Sequence, residues 1–277
     1  MKPLFSIITI NYNNRLGLDK TVTNCINQSS KNYELLIIDG GSIDGSLDII
    51  EQYKDQISYS TSEKDKGIYD AQNKGIVVAK GSYLIFMNSG DCFSDHRVLE
   101  DMTSFIEKDS SHGIYYGNTN LIDDEVTTRP LIAPSVLDND FFYLATLNHQ
   151  SCFIDQSLFK KYGLYNLNYK ICADYDFFLK VYLKEKNTFR YVNRTICDYE
   201  NYGISASKML FDLVVSERKQ IQADLLSKDQ LKKVASLIIQ QEGRKSKVFK
   251  AVPDSYSLKK VYDSVYFYWY KLRTKRN

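Results

Sequence analysis

The sequence predicts an α/β protein in which a mostly parallel central sheet is flanked by helices and followed by a helical extension. Three observations carry this prediction. Short β-rich runs alternate with helical patterns over about the first 90 residues, as in βαβ units. Each of four predicted strands ends in a polar or glycine-rich cluster. After residue 205 the pattern becomes helical and increasingly basic, so we expect a core domain over 1–205 and an extension over 206–277.

The individual elements follow from hydrophobic periodicity and from the residues that interrupt it. Short apolar runs predict strands at 5–10, 33–38, 57–60 and 83–87. Helical patterns between and after them predict helices over 16–28, 47–53, 69–79 and 174–184. A hairpin or sheet edge is expected from 113–121 and 126–131, and a further apolar stretch lies at 152–154.

Polar clusters stand where the four early strands end, at 11–13, 39–42, 65–66 and 88–91. In parallel α/β sheets, ligands bind at the carboxyl ends of the strands. Because these ends share one edge of the sheet, we expect the four clusters to form one composite pocket.

The charge is unevenly distributed. Residues 227–277 contain 13 Lys/Arg and 4 Asp/Glu, although the whole chain has a net charge of only +2. This basic tail also carries many Tyr, Phe and Trp side chains, a mixture that suits the surface of an anionic membrane. The alternatives are a helical appendage with an oligomer contact or an ordinary charged face. A nucleic-acid-binding role is disfavoured because the rest of the chain is acidic.

The cysteine pattern and the absence of long apolar runs favour a cytoplasmic protein. There are five cysteines, an odd number, and no CxxC pair, which argues against a disulfide framework or a structural zinc site. No secretory leader pattern and no apolar run approaching the length of a membrane span is visible.

Asp39 is the first candidate ligand residue, at the end of the second strand. Its carboxylate suits a nucleobase N–H, with a uracil-type imide as one candidate, and the alternative is a turn or capping aspartate. Gly40 and Gly41 allow close approach of a ligand to the backbone. The spacing is not GxGxxG, so a dinucleotide site is not supported.

The segment 65–75 combines acids, lysines, an amide and two glycines beside a predicted helix. Asp70 and Asn73 are three residues apart and share one helix face. Lys66 suits a phosphate. A solvated amphipathic helix explains the same residues equally well.

The stretch FMNSGDCF, residues 86–93, ends the fourth strand, and Asp91 is its only carboxylate. Mg²⁺ or Mn²⁺ at a diphosphate takes only one or two protein carboxylates, so one acid is chemically sufficient. Asn88 offers an amide oxygen at lower charge. An Asn-Ser-Gly-Asp turn without any ligand is the alternative.

Asp174 and Asp176 begin the helix at 174–184. Acids in a first helical turn favour the helix dipole, which is the structural interpretation. The functional one is a general base that deprotonates an acceptor hydroxyl. His149, one of three histidines, suits a metal, a phosphate or an acceptor, or a purely structural place.

Together these motifs resemble the family 2 glycosyltransferases of the A-type fold, especially bacterial enzymes of capsule, exopolysaccharide and O-antigen assembly. The motifs that carry the resemblance are SIITINYNN, IIDGGSIDGS, EKDKGIYDAQNKGI, FMNSGDCF, LNHQSCF and ADYDFFLKV. They occur in order within 1–205, which the resemblance identifies as the catalytic domain. The extension at 206–277 carries no recognised motif.

The resemblance implies a nucleoside-diphosphate sugar donor, a divalent cation (Mn²⁺ or Mg²⁺) and inversion at the anomeric carbon. Asp174 matches the catalytic base, and Asp91 matches the last acid of the metal motif. The donor-binding positions are Thr9, Asn11, Tyr12, Asp39, Lys66, Asp70, Asn73, Asn88 and Ser89. On the acceptor or metal side we place His149, Gln150, Asp176, Glu200 and Ser205.

The function that the resemblance implies is transfer of a hexosyl-type sugar from a nucleoside-diphosphate sugar, with a UDP-sugar as the expected donor, to a hydroxyl of a saccharide or polyprenyl-diphosphate-linked acceptor. Asn88 and Gly90 stand where the family more often has acids, so a catalytically weak sugar-nucleotide-binding homologue is one alternative. A nucleotidyltransferase is another, but it requires a glycine-rich loop with downstream basic residues after the first strand. Asn11–Asn14 is not such a loop. We also expect peripheral contact with the inner face of the cytoplasmic membrane and no nucleic acid.

Overall fold

The computed structural model describes residues 2–122, 128–200 and 208–249. The chain forms two compact units. The first contains Met1–Ser135 and Leu147–Ala206, and the second contains Val136–Thr146 and Ser207–Asn277.

The first unit is built on a nine-stranded mixed sheet within the described part of the chain. Its strands are β1 (Phe5–Asn11), β2 (Tyr33–Asp39), β3 (Tyr59–Ser62), β4 (Tyr83–Phe86), β5 (Cys92–Phe93), β6 (Ile114–Ile122), β7 (Thr128–Leu131), β8 (Cys152–Asp155) and β9 (Phe189–Glu200). Their order is β3-β2-β1-β4-β8-β6-β9-β5, and β7 pairs with β6. The first four strands pair in parallel, β8 is antiparallel to both its neighbours, and β9 runs parallel to β6.

The helices are α1 (Arg15–Ile26), α2 (Ser46–Gln52), α3 (Ile68–Val78), α4 (Val98–Lys108), α5 (Asn139–Leu144), α6 (Gln156–Tyr162), α7 (Ala173–Lys184), α8 (Lys208–Leu225) and α9 (Lys228–Phe249). A short 3₁₀ turn at His149–Ser151 leads into β8. The helix α1 begins after Asn14, whose side chain accepts a hydrogen bond from the Gly17 backbone N–H at 3.1 Å.

The predicted α/β class is confirmed, with the parallel strands concentrated in the N-terminal half of the sheet. The predicted pairing of 113–121 with 126–131 is also confirmed, since β6 and β7 are antiparallel neighbours. The elements α4, α5, α6, β5 and β9 have no counterpart among the sequence predictions. The helical pattern after residue 205 corresponds to α8 and α9.

Buried strands and one close helix contact hold the site-bearing edge together. The strands β1 and β2 are buried along almost their whole length, which explains their nearly continuous apolar sequence. The helix α3 lies so close to β1 that a Cβ at Gly75 would come within 2.4 Å of Ile8 Cγ2. This contact packs α3 directly against the middle of β1.

The second unit joins α5 to the C-terminal helices. Arg218 and Gln222 donate hydrogen bonds to the backbone oxygens of Ala145 and Tyr143, and Lys233 forms an ion pair with Asp140. Among the described residues, no helix has the length and apolar content needed to cross a membrane. The aromatic and basic segment 250–277 lies outside the described residues.

Candidate active site at the strand ends

Asp39 is the most heavily hydrogen-bonded side chain described at these strand ends. It accepts five hydrogen bonds, from Asn11 Nδ2, Ser42 Oγ, Ser62 Oγ and the backbone N–H groups of Gly41 and Ser42. Burial alone raises the pKa of a carboxyl group, but the bonds from Ser42, Ser62 and Asn11 outweigh it and hold the pKa of Asp39 below its ordinary value. The carboxylate is therefore ionised and fixes the loop after β2 against β1 and β3.

Asn11 links this loop to the 86–93 stretch. Its Nδ2 donates to Asp39, and its Oδ1 accepts from Ser89 Oγ at 2.7 Å. Thr9 is fully buried, and its hydroxyl has no hydrogen-bond partner in the described part of the chain. Tyr12, by contrast, is 68% exposed. Of the predicted base and ribose residues, only Tyr12 is therefore openly available to a ligand.

The start of α3 brings the next group of predicted donor residues to the same edge. Asp70 Oδ2 accepts the backbone N–H of Lys66 at 2.9 Å, which shapes the loop before the helix. Both polar ends of the Asn73 amide bind the backbone of Tyr165, at 2.9 and 3.0 Å. Through these hydrogen bonds Asp70 and Asn73 stabilise the loop and helix in which they lie. Their contact with a sugar-nucleotide donor stays a prediction.

The 86–93 stretch is held against α1 by Thr21. Its hydroxyl donates to the Asp91 backbone oxygen at 2.8 Å and accepts from the Gly90 N–H at 2.9 Å. Gly90 has a φ of 106°, a left-handed conformation that glycine adopts without strain. This turn leaves the Asp91 side chain buried, with its Oδ2 accepting from Gln150 Nε2 at 3.2 Å.

A divalent cation at this place would find one carboxylate and neutral amides. No cluster of three or more His, Cys, Asp or Glu side chains suited to a metal occurs among the described residues. The Asn88 Oδ1 already accepts from Gln72 at 3.4 Å. These protein ligands fit a cation that takes most of its other ligands from a diphosphate and water. They do not fit a cation that is coordinated by protein side chains alone.

Asp174 lies at the first turn of α7 in a network with His149 and Tyr69. His149 Nδ1 lies 3.1 Å from Asp174 Oδ2. The Tyr69 hydroxyl shares its single proton between the Ile171 backbone oxygen at 2.6 Å and Asp174 Oδ1 at 2.9 Å. Burial, together with the nearby Asp174 charge, raises the pKa of Tyr69 well above its ordinary value. The phenol therefore stays protonated and acts as a donor. The His149 Nε2 atom is buried and has no partner among the described residues.

The two aspartates of the 173–181 motif have different surroundings. Asp174 contacts His149 and Tyr69, whereas the buried Asp176 is paired with Lys180 one turn later at 2.5 Å. Asp176 is thus held within its own helix. The side chain of Glu200 and all of Ser205 lie outside the described residues.

The sequence analysis assigned no individual role to three of the residues that complete this arrangement. Tyr69 binds Asp174, Gln72 binds Asn88, and Asp65 carries an ion pair with Lys74 at 2.6 Å. All of these residues lie in the 63–76 motif, so membership of this motif was the sequence feature that could have identified them as site residues. Its partners come from distant parts of the chain, and the sequence does not specify them.

This arrangement of a parallel sheet edge, a buried acid after β4 and a second acid on α7 defines the class of A-type glycosyltransferase folds. The model of the family described as "Glycosyl transferase family 2" matches residues 6–188. The chain therefore belongs to glycosyl transferase family 2.

Two curated relatives illustrate the similarity. The chain is 28% identical over 204 residues to a PGL/p-HBAD biosynthesis glycosyltransferase of Mycobacterium bovis, covering 73% of this chain and 78% of that protein. It is 33% identical over 110 residues to a putative teichuronic acid biosynthesis glycosyltransferase of Bacillus subtilis, covering 39% of this chain and 44% of that protein.

Solved structures share the fold at low sequence identity. The fragment 1–349 of Staphylococcus aureus TarS, in complex with UDP-GlcNAc, superposes with a TM-score of 0.61 at 18% identity, covering 81% of this chain and 71% of that one. The chain spans 43% of the longer TarS chain. A mannosyltransferase of Pyrobaculum calidifontis, in complex with GDP-Man and Mn²⁺, gives a TM-score of 0.58 at 11% identity, covering 96% and 84%.

Proposed function

We propose that this glycosyltransferase moves a hexosyl group from a UDP-sugar to a hydroxyl of a saccharide or polyprenyl-diphosphate-linked acceptor, with inversion at the anomeric carbon. The proposed setting is the assembly of a bacterial surface polysaccharide at the cytoplasmic face of the membrane. The proposed catalytic domain is the sequence segment 1–205.

One observation carries the proposal: two consecutive residues join the two acids. Gln150 Nε2 binds Asp91 Oδ2 at 3.2 Å, and His149 Nδ1 lies 3.1 Å from Asp174 Oδ2. Asp91, on the donor side, and Asp174, on the acceptor side, therefore both contact the 3₁₀ turn that contains His149 and Gln150. A sugar between them would have its leaving group near Asp91 and its acceptor near Asp174, which suits one in-line displacement.

Asp174 is the proposed general base. Its carboxylate takes the proton of the acceptor hydroxyl as that oxygen bonds to the anomeric carbon. The bond from this carbon to the diphosphate oxygen breaks in the same step, and its electron pair leaves with the nucleoside diphosphate. His149 and Tyr69 hold the carboxylate in one orientation, and no covalent sugar–enzyme intermediate forms.

Asp91 is the protein carboxylate that would hold Mn²⁺ or Mg²⁺ on the donor diphosphate. When bound, such a cation supplies charge stabilisation for the leaving diphosphate. Gln150 orients the Asp91 carboxylate through its hydrogen bond.

The identity of the donor and acceptor is supported by the relatives. One relative is named for teichuronic acid biosynthesis, and one structure of the same fold contains UDP-GlcNAc. Another structure of the same fold contains GDP-Man and Mn²⁺. The base of the nucleotide donor is therefore a point for the experiment to decide. Nucleotidyl transfer is disfavoured because Asn11–Asn14, at the end of β1, is not a glycine-rich, basic loop.

A screen of nucleoside-diphosphate sugars by thermal unfolding, with Mn²⁺ or with EDTA, tests this proposal. We expect UDP-sugars to raise the unfolding temperature in Mn²⁺, and the bound sugar to be transferred to a lipid-linked or free saccharide with an inverted anomeric configuration by NMR. If no nucleoside diphosphate stabilises the chain, the donor proposal is wrong. Donor binding without any transfer or donor hydrolysis would favour the catalytically weak homologue.

A further inference from the structure

Asn73 joins α3 to the loop that connects α6 with α7, residues 163–172. Its Nδ2 donates to the backbone oxygen of Tyr165 at 2.9 Å, and its Oδ1 accepts the backbone N–H of Tyr165 at 3.0 Å. The two residues are 92 positions apart in the chain. Asn73 is only 8% exposed, so this pair of hydrogen bonds is largely shielded from water. A buried amide that binds one backbone unit through both of its ends fixes that unit in place.

The ring of Tyr165 contacts side chains of both α3 and α7. Its centroid lies 5.2 Å from that of Tyr69, on α3, and 5.8 Å from that of Phe177, on α7. These separations are those of packed aromatic pairs, and the Tyr165 side chain is buried. Phe177 follows Asp174 by three residues, so the two side chains share one face of α7. The position of Tyr165 therefore affects the first turn of α7, which carries Asp174.

The helix α3 also binds the other end of this loop. The Tyr69 hydroxyl shares its single proton between the backbone oxygen of Ile171 at 2.6 Å and Asp174 Oδ1 at 2.9 Å. Tyr69 and Asn73 are four residues apart and share one face of α3. The segment that leads into Asp174 is thus attached to the same helix face near its beginning, at Tyr165, and near its end, at Ile171.

We propose that Asn73 is a positioning residue for Asp174, acting through Tyr165, and that it does not contact the sugar-nucleotide donor. This inference rests on the proposed function, in which Asp174 is the general base. Without the Asn73 amide, the backbone at Tyr165 loses both hydrogen bonds, and its ring shifts against Phe177. The carboxylate of Asp174 then moves out of line with the acceptor hydroxyl. A displacement of about 1 Å is enough to slow a reaction about 100-fold.

A donor contact and a positioning role predict different kinetic effects for Asn73. A side chain that binds the donor contributes to affinity, so its loss raises the KM for the sugar nucleotide and the Kd of the nucleoside diphosphate. A side chain that positions the base acts on proton transfer, so its loss lowers kcat. The two roles are therefore separated by measuring binding and turnover on the same variant.

The test compares the full-length wild type with Asn73→Ala in Mn²⁺. Calorimetric titration with UDP measures binding, and release of UDP from UDP-GlcNAc and other UDP-sugars, with a saccharide acceptor, measures turnover. We expect kcat to fall about tenfold or more, while the KM for the donor and the Kd of UDP stay within about twofold of the wild type.

Two variants of Tyr165 test the proposed route to Asp174. Tyr165→Leu removes the ring contact with Phe177 and should show the same selective loss of kcat. Tyr165→Phe keeps the ring and should recover the rate, because the lost hydroxyl has no hydrogen-bond partner in the described part of the chain. If Asn73→Ala does not fold, this pair decides, and a wild-type kcat in Tyr165→Leu overturns the proposal.

Ile106→Ala is the control for lost stability, since Ile106 is buried in the hydrophobic core on α4. It should lower the unfolding temperature and leave kcat unchanged. An equal loss of kcat in Asn73→Ala and Ile106→Ala would overturn the proposal. So would an unchanged kcat in Asn73→Ala with a Kd of UDP raised about tenfold, which would assign Asn73 to the donor. Failure of the wild type to turn over any sugar nucleotide would overturn the proposed function as well.

Discussion

His149 Nδ1 lies 3.1 Å from Asp174 Oδ2, although the two residues are 25 positions apart in the chain. The other carboxylate oxygen of Asp174 accepts from the Tyr69 hydroxyl, on the third helix. Three segments of the chain therefore fix one acid. Such fixation is what a general base requires, because proton transfer depends on the orientation of the carboxylate toward the acceptor hydroxyl.

Asp174→Asn should abolish transfer while donor binding is retained. An amide has no basic oxygen of comparable strength, so we expect turnover to fall by about 100-fold or more. Turnover of the sugar nucleotide with a saccharide acceptor and calorimetric binding of the nucleoside diphosphate measure the two effects separately. Asp176→Asn is the matched control, since Asp176 pairs with Lys180 within its helix. Transfer that survives in Asp174→Asn but fails in Asp176→Asn would reverse the two roles.

The contribution of His149 is expected to lie in its Nδ1 atom. His149→Leu removes the hydrogen bond to Asp174 and should lower kcat about tenfold, with the KM for the donor unchanged. His149→Asn places an amide N–H close to the position of Nδ1 and should recover most of the lost rate. If His149→Asn is as slow as His149→Leu, the Nε2 atom, which has no partner within the described part of the chain, is the functional one, and our assignment is wrong.

Much of the fold follows from local sequence because its first strands are buried on both sides. The run 33–38 predicts β2 well, since nearly every residue in it is buried. The edge strand β3 was predicted two residues early, at 57–60 rather than Tyr59–Ser62. Its side chains are mostly exposed, so its position is set by pairing with β2 and not by its own hydrophobic pattern.

The site is less predictable from sequence because its contacts span long separations. Local motifs identify Asp91 and Asp174 as candidates, but the link from Asp91 to Gln150 joins residues 59 positions apart. The bond from Ser62 to Asp39 similarly depends on strand order. The hydrogen bond from Ser62 occupies an acceptor position of the Asp39 carboxylate. From the local motif alone, that position would be expected to be available to a ligand.

Asp91→Ala should remove the dependence of donor binding on Mn²⁺. In the wild type we expect UDP to raise the unfolding temperature more in Mn²⁺ than in EDTA, because the cation bridges the diphosphate and the carboxylate. The variant should show the same, smaller shift in both conditions. Asp55→Ala, which removes an exposed acid, serves as the control. An undiminished Mn²⁺ effect in Asp91→Ala would exclude this carboxylate as a ligand.

The basic tail is expected to bind anionic membranes. Vesicles of phosphatidylglycerol should carry the full chain to the top of a flotation gradient at low salt, and about 0.5 M NaCl should release it. Reversing the charge at Lys259, Lys260, Lys271 and Arg273 to Glu should abolish flotation. The variant should keep UDP binding. Equal flotation of both proteins would contradict a role for these four charges in membrane binding. A wild type that does not float would favour the oligomer contact, which sedimentation of the same two proteins would reveal.

Asp39→Asn should destabilise the protein in a way that depends on pH. The variant loses the charge that five hydrogen bonds stabilise, so we expect the free energy of unfolding at pH 7 to fall by about 2–3 kcal/mol. Because the pKa of Asp39 in the folded state lies below its ordinary value of 3.8, its stabilising effect is complete above that value. The effect is lost as the pH falls through the lower, folded-state pKa. Urea unfolding of both proteins should therefore show a constant difference from pH 7 to about pH 5, and a narrowing one below pH 3.8. A difference that stays constant to pH 3 would mean that the charge on Asp39 does not contribute to stability.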